Sequence, residues 1–148
     1  MNIAIVYGTY SSSTQTATKF LEDVLTEHGH TVTRKQAHEA AAHDITNSDL
    51  VIIASPSWLI DGKDGQPHEE VSSFLQQLPD TAFHNQKVAV LGLGDTSYAH
   101  FCGAVDVIEG ILKTHQASLL PSQRIDGYYM NQDVNNQAIT AWADALLS

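Results

Sequence analysis

The chain has 148 residues, 43% hydrophobic and 16% charged, a balance that suits one globular domain over residues 1–148 and no disordered linker. Seven Lys and Arg against 17 Asp and Glu leave a net charge of −10, which excludes nucleic acid as a natural partner. That acidity serves solubility or steering toward basic docking surfaces on other proteins, and composition does not separate the two. The longest apolar runs, at 50–54 and 88–91, fall far short of the roughly 20 residues of a membrane helix. No signal peptide is visible before the first apolar run, and a single cysteine, Cys102, leaves no internal disulfide, so the cytoplasm is the expected address.

Taken in chain order, a strand at 3–7 leads into a first helix, whose Ala17, Phe20, Leu21, Val24, Leu25 and His28 recur at helical spacing before the stop at Gly29. A second strand, 30–35, follows at once, and residues 37–47 predict a short second helix. After a third strand at 50–54, Pro67, Glu69 and Glu70 open a third helix carrying Val71, Phe74, Leu75 and Leu78. Beyond a fourth strand at 88–91, Val105, Ile108, Ile111, Leu112 and His115 trace a fourth helix. A fifth strand at 117–120 precedes the stripe Val134, Ala138, Ile139, Trp142, Ala145 and Leu146. Short continuous apolar strands separated by helices predict an α/β fold, a doubly wound five-stranded parallel sheet with helices on both faces. Ligands of such sheets sit beyond the carboxyl ends of the strands, which directs attention to three loops.

The first loop carries six hydroxyl residues in succession, Thr9, Tyr10, Ser11, Ser12, Ser13 and Thr14, with no Lys or Arg among them. Backbone N–H groups at a helix start, helped by hydroxyl donors, hold a compact anion such as a phosphomonoester. A plain Ser/Thr-rich capped turn has the same composition. Neither G-x-x-x-x-G-K-[ST] nor G-x-G-x-x-G occurs, which disfavours nucleoside triphosphates and dinucleotides. The second loop, 55–65, places Trp58 and Leu59 after Ser55, Pro56 and Ser57; an aromatic at a loop tip is a buried lid or a stacking surface for a planar ligand. The third loop contains Gly92, Leu93, Gly94, Asp95, Tyr98, His100, Phe101 and Cys102. Its two glycines serve a tight turn or a close backbone approach. No histidine pair has metal-ligand spacing, so no metal is expected; His100 is a candidate source of pH dependence or simply a solvent-facing side chain. Cys102 has no nucleophilic partners in the sequence and reads as a small buried thiol.

The hydroxyl-rich first loop, Ser-Pro-Ser-Trp after the third strand, Gly-Leu-Gly-Asp-Thr-Ser-Tyr and Phe-Cys-Gly-Ala-Val-Asp after the fourth, and Arg124-Ile125-Asp126-Gly127 together resemble the short-chain flavodoxins. The resemblance covers essentially the whole chain. It implies strand order 2-1-3-4-5, one non-covalent FMN, and a monomeric one-electron carrier between a reductase and acceptor redox enzymes. By the same resemblance, residues 9–14 hold the FMN phosphate, Trp58 and Tyr98 flank the flavin ring, and the backbone near Gly94, Asp95 and Cys102 meets its pyrimidine edge. No catalytic residue is implied. Asp61, Asp64, Asp95 and Asp106 in or beside these loops either point to solvent or predict a low potential for the fully reduced flavin, whose extra negative charge they disfavour. Two loops depart from the family pattern. Ser12-Ser13 replaces Gly-Asn, which predicts a strained turn, and Leu59 replaces Gly, which predicts a less stabilised one-electron-reduced flavin unless Gly62 or Gly65 of this longer loop supplies the flexible peptide instead. The alternative is an FMN-dependent quinone or small-molecule reductase of the same fold, although no nicotinamide site or substrate lid is recognisable. A response regulator is excluded, because Tyr7-Gly8-Thr9 and Ala54-Ser55 stand where its acidic residues belong.

Overall fold

The structure is a computed structural model that describes the chain except for Ser11, Asp61, residues 96–100 and the side chain of Leu59. Its elements in chain order are β1 (Asn2–Tyr7), α1 (Ser13–Glu27), β2 (Thr31–Gln36), α2 (Ala42–Thr46), β3 (Leu50–Pro56), β4 (Trp58–Ile60), β5 (Lys63–Gln66), α3 (Glu69–Gln77), β6 (Lys87–Gly94), α4 (Gly103–Thr114), β7 (Ser118–Leu119), β8 (Gln123–Asp126) and α5 (Gln132–Leu147). The main sheet is parallel and runs β2-β1-β3-β6, with its last place shared by β7 and β8, both paired to β6. The expected order therefore holds.

Alternation along the strands builds two cores, one on each face. Ile3, Ile5, Leu50, Ile52 and Leu91 pack under α1 and α5, against Leu21, Leu25, Ile139 and Trp142. Ala4, Val6, Val51, Ile53, Val88 and Val90 pack under α3 and α4, against Phe74, Leu75, Ile108 and Leu112. Each fully buried aliphatic side chain contributes about 1.5–3 kcal/mol relative to exposure, so continuous apolar strands are stable only when covered on both sides. Gly29, at φ 88°, ends α1 as its position predicts. Among the described residues, no helix is long and apolar enough to cross a membrane.

The structure corrects several boundaries. The strand expected at 117–120 is short, Ser118–Leu119, and the edge resumes at Gln123–Asp126 after Pro121, which has no N–H to offer a ladder. The Pro121 carbonyl instead accepts from Trp142 Nε1 at 2.7 Å. The segment expected as the second loop contains an antiparallel ribbon, in which Trp58 pairs with Gln66 and Ile60 with Lys63. Residues 37–47 hold a single 3-10 turn at Ala37–Glu39 before the short α2. Val134, counted in the fifth apolar stripe, is 63% exposed.

Candidate functional site

Parallel register brings three carboxyl ends together: Tyr7 pairs with Ala54, and Pro56 with Leu93. The first loop leaves β1 through Gly8, whose N–H donates to the Ala54 carbonyl at 3.2 Å. It ends at Ser12, the residue that caps α1, in left-handed conformation at φ 64° and ψ −10°. That conformation costs a non-glycine residue roughly 1–2 kcal/mol, so the strain expected of Ser in this place is present. The Ser12 side chain makes no capping bond to the helix, and no acidic residue occupies the first turn of α1. The positive end of this helix is thus left for an anion. Thr14 is completely buried, and among the described residues neither its Oγ1 nor that of Thr9 has a hydrogen-bond partner. A buried hydroxyl without a partner costs about 1–3 kcal/mol, a penalty that a bound anion would remove.

His68, the residue that caps α3, ties this loop to the second one. Its backbone N–H donates to Ser55 Oγ at 2.8 Å, and Ser55 Oγ donates to the Pro56 carbonyl at 2.8 Å. Its Nδ1 accepts from the Glu70 N–H at 3.0 Å, leaving the other ring nitrogen to donate to the Thr9 backbone. The ring lies against Tyr10 with centroids 4.0 Å apart, and Tyr10 meets Trp58 at 5.2 Å. A Cβ on Gly8 would stand 2.7 Å from the imidazole Cγ, so glycine is required where this ring sits.

Burial lowers the His68 pKa from its ordinary 6.5, outweighing the nearby Glu70 and Glu69 carboxylates. The folded protein therefore holds fewer protons on this ring than the unfolded chain does, and stability declines as pH falls below about 6.5. Above that value the ring is neutral in both states and contributes no slope. Urea denaturation from pH 7.5 downward should show a steeper loss for the wild type than for His68→Asn; parallel profiles would assign the slope to other groups.

The second and third loops are joined through Ser57, whose N–H donates to the Leu93 carbonyl at 2.9 Å and whose Oγ accepts from the Ala104 N–H at 3.0 Å. Trp58 stands half-exposed at the start of the ribbon, and Gly62 and Gly65 take positive φ angles of 77° and 71° in it. The close approach that the glycines of β6 permit is filled by the protein itself. A Cβ on Gly92 would lie 2.4 Å from Val105 Cγ2, and one on Gly94 would lie 3.1 Å from Cys102 Sγ. Cys102 is buried and left-handed, φ 50°, with its thiol pushed up to about 11 by burial, which makes it an inert packing group. Arg124 Nη1 donates to the Cys102 carbonyl at 2.8 Å while Nη2 pairs with Asp106 at 2.8 Å. Asp106 is therefore engaged by a cation. Asp95 is exposed beyond the end of β6. Ser11, Asp61, Tyr98 and His100 lie outside the described residues, and of Leu59 only the backbone, in β4, is described.

A cavity of about 320 Å³ joins these parts, lined by Ser13 and by residues 56–58 and 93–95. Its remaining wall, residues 127–130, is a fourth loop that sequence reasoning missed. Gly127 N–H donates to the Gly94 carbonyl at 2.9 Å, which hangs this loop from the end of β6. The signal available was Tyr128-Tyr129-Met130, large apolar residues placed between two elements rather than within one.

The donor set fits a flavin mononucleotide: a loop at 9–14 without Lys or Arg at one end, buried hydroxyls beside it that have no partner among the described residues, and a trough with an aromatic wall. Comparison with known proteins agrees. The chain is 29% identical over 149 residues to the flavodoxin of Nitratidesulfovibrio vulgaris strain Miyazaki F, covering 99% of this chain and 97% of that one. It is 32% identical over 126 residues to a probable flavodoxin of Bacillus subtilis, covering 84% and 81%. The solved flavodoxin of Streptococcus pneumoniae TIGR4 superposes with a TM-score of 0.81 at 22% identity, covering 98% of this chain and 99% of that one. With the flavodoxin family model matching residues 5–142, nearly the whole of both cores and the four loops between them, this chain belongs to the flavodoxin family.

Proposed function

We propose that the protein binds one FMN non-covalently and carries single electrons at low potential between a reductase and acceptor redox enzymes in the cytoplasm. Flavodoxins are electron-transfer proteins that serve redox partners, not enzymes. The observation that carries the assignment of FMN is the pair of buried hydroxyls, Thr9 Oγ1 and Thr14 Oγ1, that have no partner among the described residues and lie beside an uncompensated helix start. In this reading residues 9–14 bind the phosphate through N–H and O–H donors. Residues 55–59 and 92–95, with Tyr98, His100, Phe101 and Cys102, border the ring system. Trp58 shields one side from water. The flavin supplies the redox chemistry when bound; the chain's own groups set its potential.

The carboxylates near the trough disfavour added negative charge there, although Arg124 offsets the contribution of Asp106. Leu59 lies in β4, where ribbon register shifts between Trp58 and Ile60, and a side chain at this position restrains the peptide after Trp58. The two one-electron potentials are accordingly expected to lie closer together than the family pattern implies. The buried single cysteine suits a reducing compartment. Visible spectra with added FMN, followed through stepwise anaerobic reduction, test the reading. The expected result is stoichiometric binding, quenched flavin fluorescence and a final reduction step below that of free FMN; absence of binding would overturn it.

A further inference from the structure

The fourth loop does more than close the trough. It is a stiff mount: Asn135 Nδ2 reaches the carbonyls of Asp126, Gly127 and Tyr128 at 3.1, 3.3 and 3.3 Å, and Tyr128 donates to Asn136 Oδ1 at 2.6 Å. From this mount the next side chain, Tyr129, crosses to the first loop. Its hydroxyl lies 3.1 Å from Ser12 Oγ and 2.8 Å from Thr16 Oγ1, residues more than a hundred positions away in the chain. Thr16 Oγ1 also donates to the Ser12 carbonyl at 3.0 Å. Because that bond uses the only Thr16 hydroxyl proton, Tyr129 is the donor to Thr16, and its oxygen is free to accept from Ser12.

Apolar burial does not explain this placement, since Tyr129 remains 50% exposed. Nor does the backbone explain Ser12. A left-handed residue with no capping bond is better served by glycine, yet a hydroxyl stands there and points to Tyr129. Both features make sense if the hydroxyl at position 12 must be held in one orientation beside the helix start, where Thr14 Oγ1 has no partner among the described residues.

We propose that Tyr129 is a positioning residue for the phosphate end of the ligand: by fixing Ser12 and Thr16 it orders the anion cradle, so that the protein selects a phosphorylated flavin over an unphosphorylated one. This rests on the FMN reading above. Its logic is that of a preorganised site, in which ordering is completed before the ligand arrives.

The test compares FMN, riboflavin and inorganic phosphate as ligands of the wild type, Tyr129→Phe, Ser12→Ala and the double variant, with far-UV circular dichroism to confirm the fold. Ser12→Ala keeps the backbone strain and removes only the hydroxyl. Each single variant is expected to bind FMN about 3- to 10-fold more weakly, the double variant no more weakly than either, and riboflavin binding is expected to stay unchanged. Inorganic phosphate should raise the melting temperature of the wild type more than that of either variant. Wild-type affinity for FMN in both single variants would overturn the role of Tyr129 while leaving the flavin reading intact. Equal losses for FMN and riboflavin would reduce Tyr129 to a general wall residue. A wild type that binds no FMN would remove both.

Discussion

Gly92→Ala is expected to lower the melting temperature by roughly 5–10 °C, a loss of about 2–3 kcal/mol for a domain of this size. The added methyl would stand 2.4 Å from Val105 Cγ2. Val105 is fully buried on α4 and β-branched, so it has no alternative rotamer into open space, and the helix itself must lift from β6. Gly110 supplies the control, because it lies in the same helix with nothing within 4 Å of a Cβ built on it. Gly110→Ala should stabilise the protein by about 0.5–1 kcal/mol by restricting the unfolded chain. Thermal denaturation of both variants reads the opposite signs. If Gly92→Ala is neutral, α4 does not sit on β6 as closely as described, and the placement of Cys102 and Asp95 at the site loses its support.

Thr14→Val is the second large effect, and it separates binding from folding. Valine keeps the shape and β-branching of threonine but removes the buried Oγ1 that lacks a partner among the described residues. A hydrogen bond to a charged group is worth about 1.5–3 kcal/mol, so the affinity for FMN should fall roughly 10- to 100-fold. Riboflavin affinity should be unchanged. The apoprotein should be as stable as the wild type or slightly more so, since an unsatisfied polar atom has been removed from the interior. Fluorescence titration of both flavins with chemical denaturation of the apoprotein reads all three quantities. Undiminished FMN affinity would place the phosphate elsewhere than the start of α1.

The sheet and its layers were legible because burial on two faces requires unbroken apolar strands, and Ile3, Ile5, Val51, Ile53, Val88 and Val90 form such runs. The first three loops were legible because hydroxyls, a displaced Trp and paired glycines have no reason to cluster after strand ends other than a ligand or a turn. The elements that escaped are those held by partners distant in the chain. In β8, Gln123–Asp126, only Ile125 is deeply buried, and the strand exists because β6 offers it a ladder. The ribbon of β4 and β5 is built from Lys, Asp and Gly as much as from apolar residues. His68 and Tyr129 act through contacts that span 60 and 113 or more positions respectively, with Gly8 and Thr16, and no local periodicity encodes such a contact. The polar part of a site is written in pairs, and a single sequence displays only one member at a time.

The broken edge of the sheet bears on how such a chain behaves when crowded. An incoming strand seeking to extend the ladder would find two residues in β7, then Pro121 without a donor, then the four of β8. At the opposite edge β2 carries Arg34 and Lys35, held to Glu22 and Asp44 at 2.7 and 3.1 Å on the two faces of the sheet, so a second chain would have to bury charge to add there. Neither margin offers a template long or apolar enough to seed strand-by-strand polymerisation, and this acidic molecule is expected to remain dispersed at concentrations where a flat, continuous edge would aggregate.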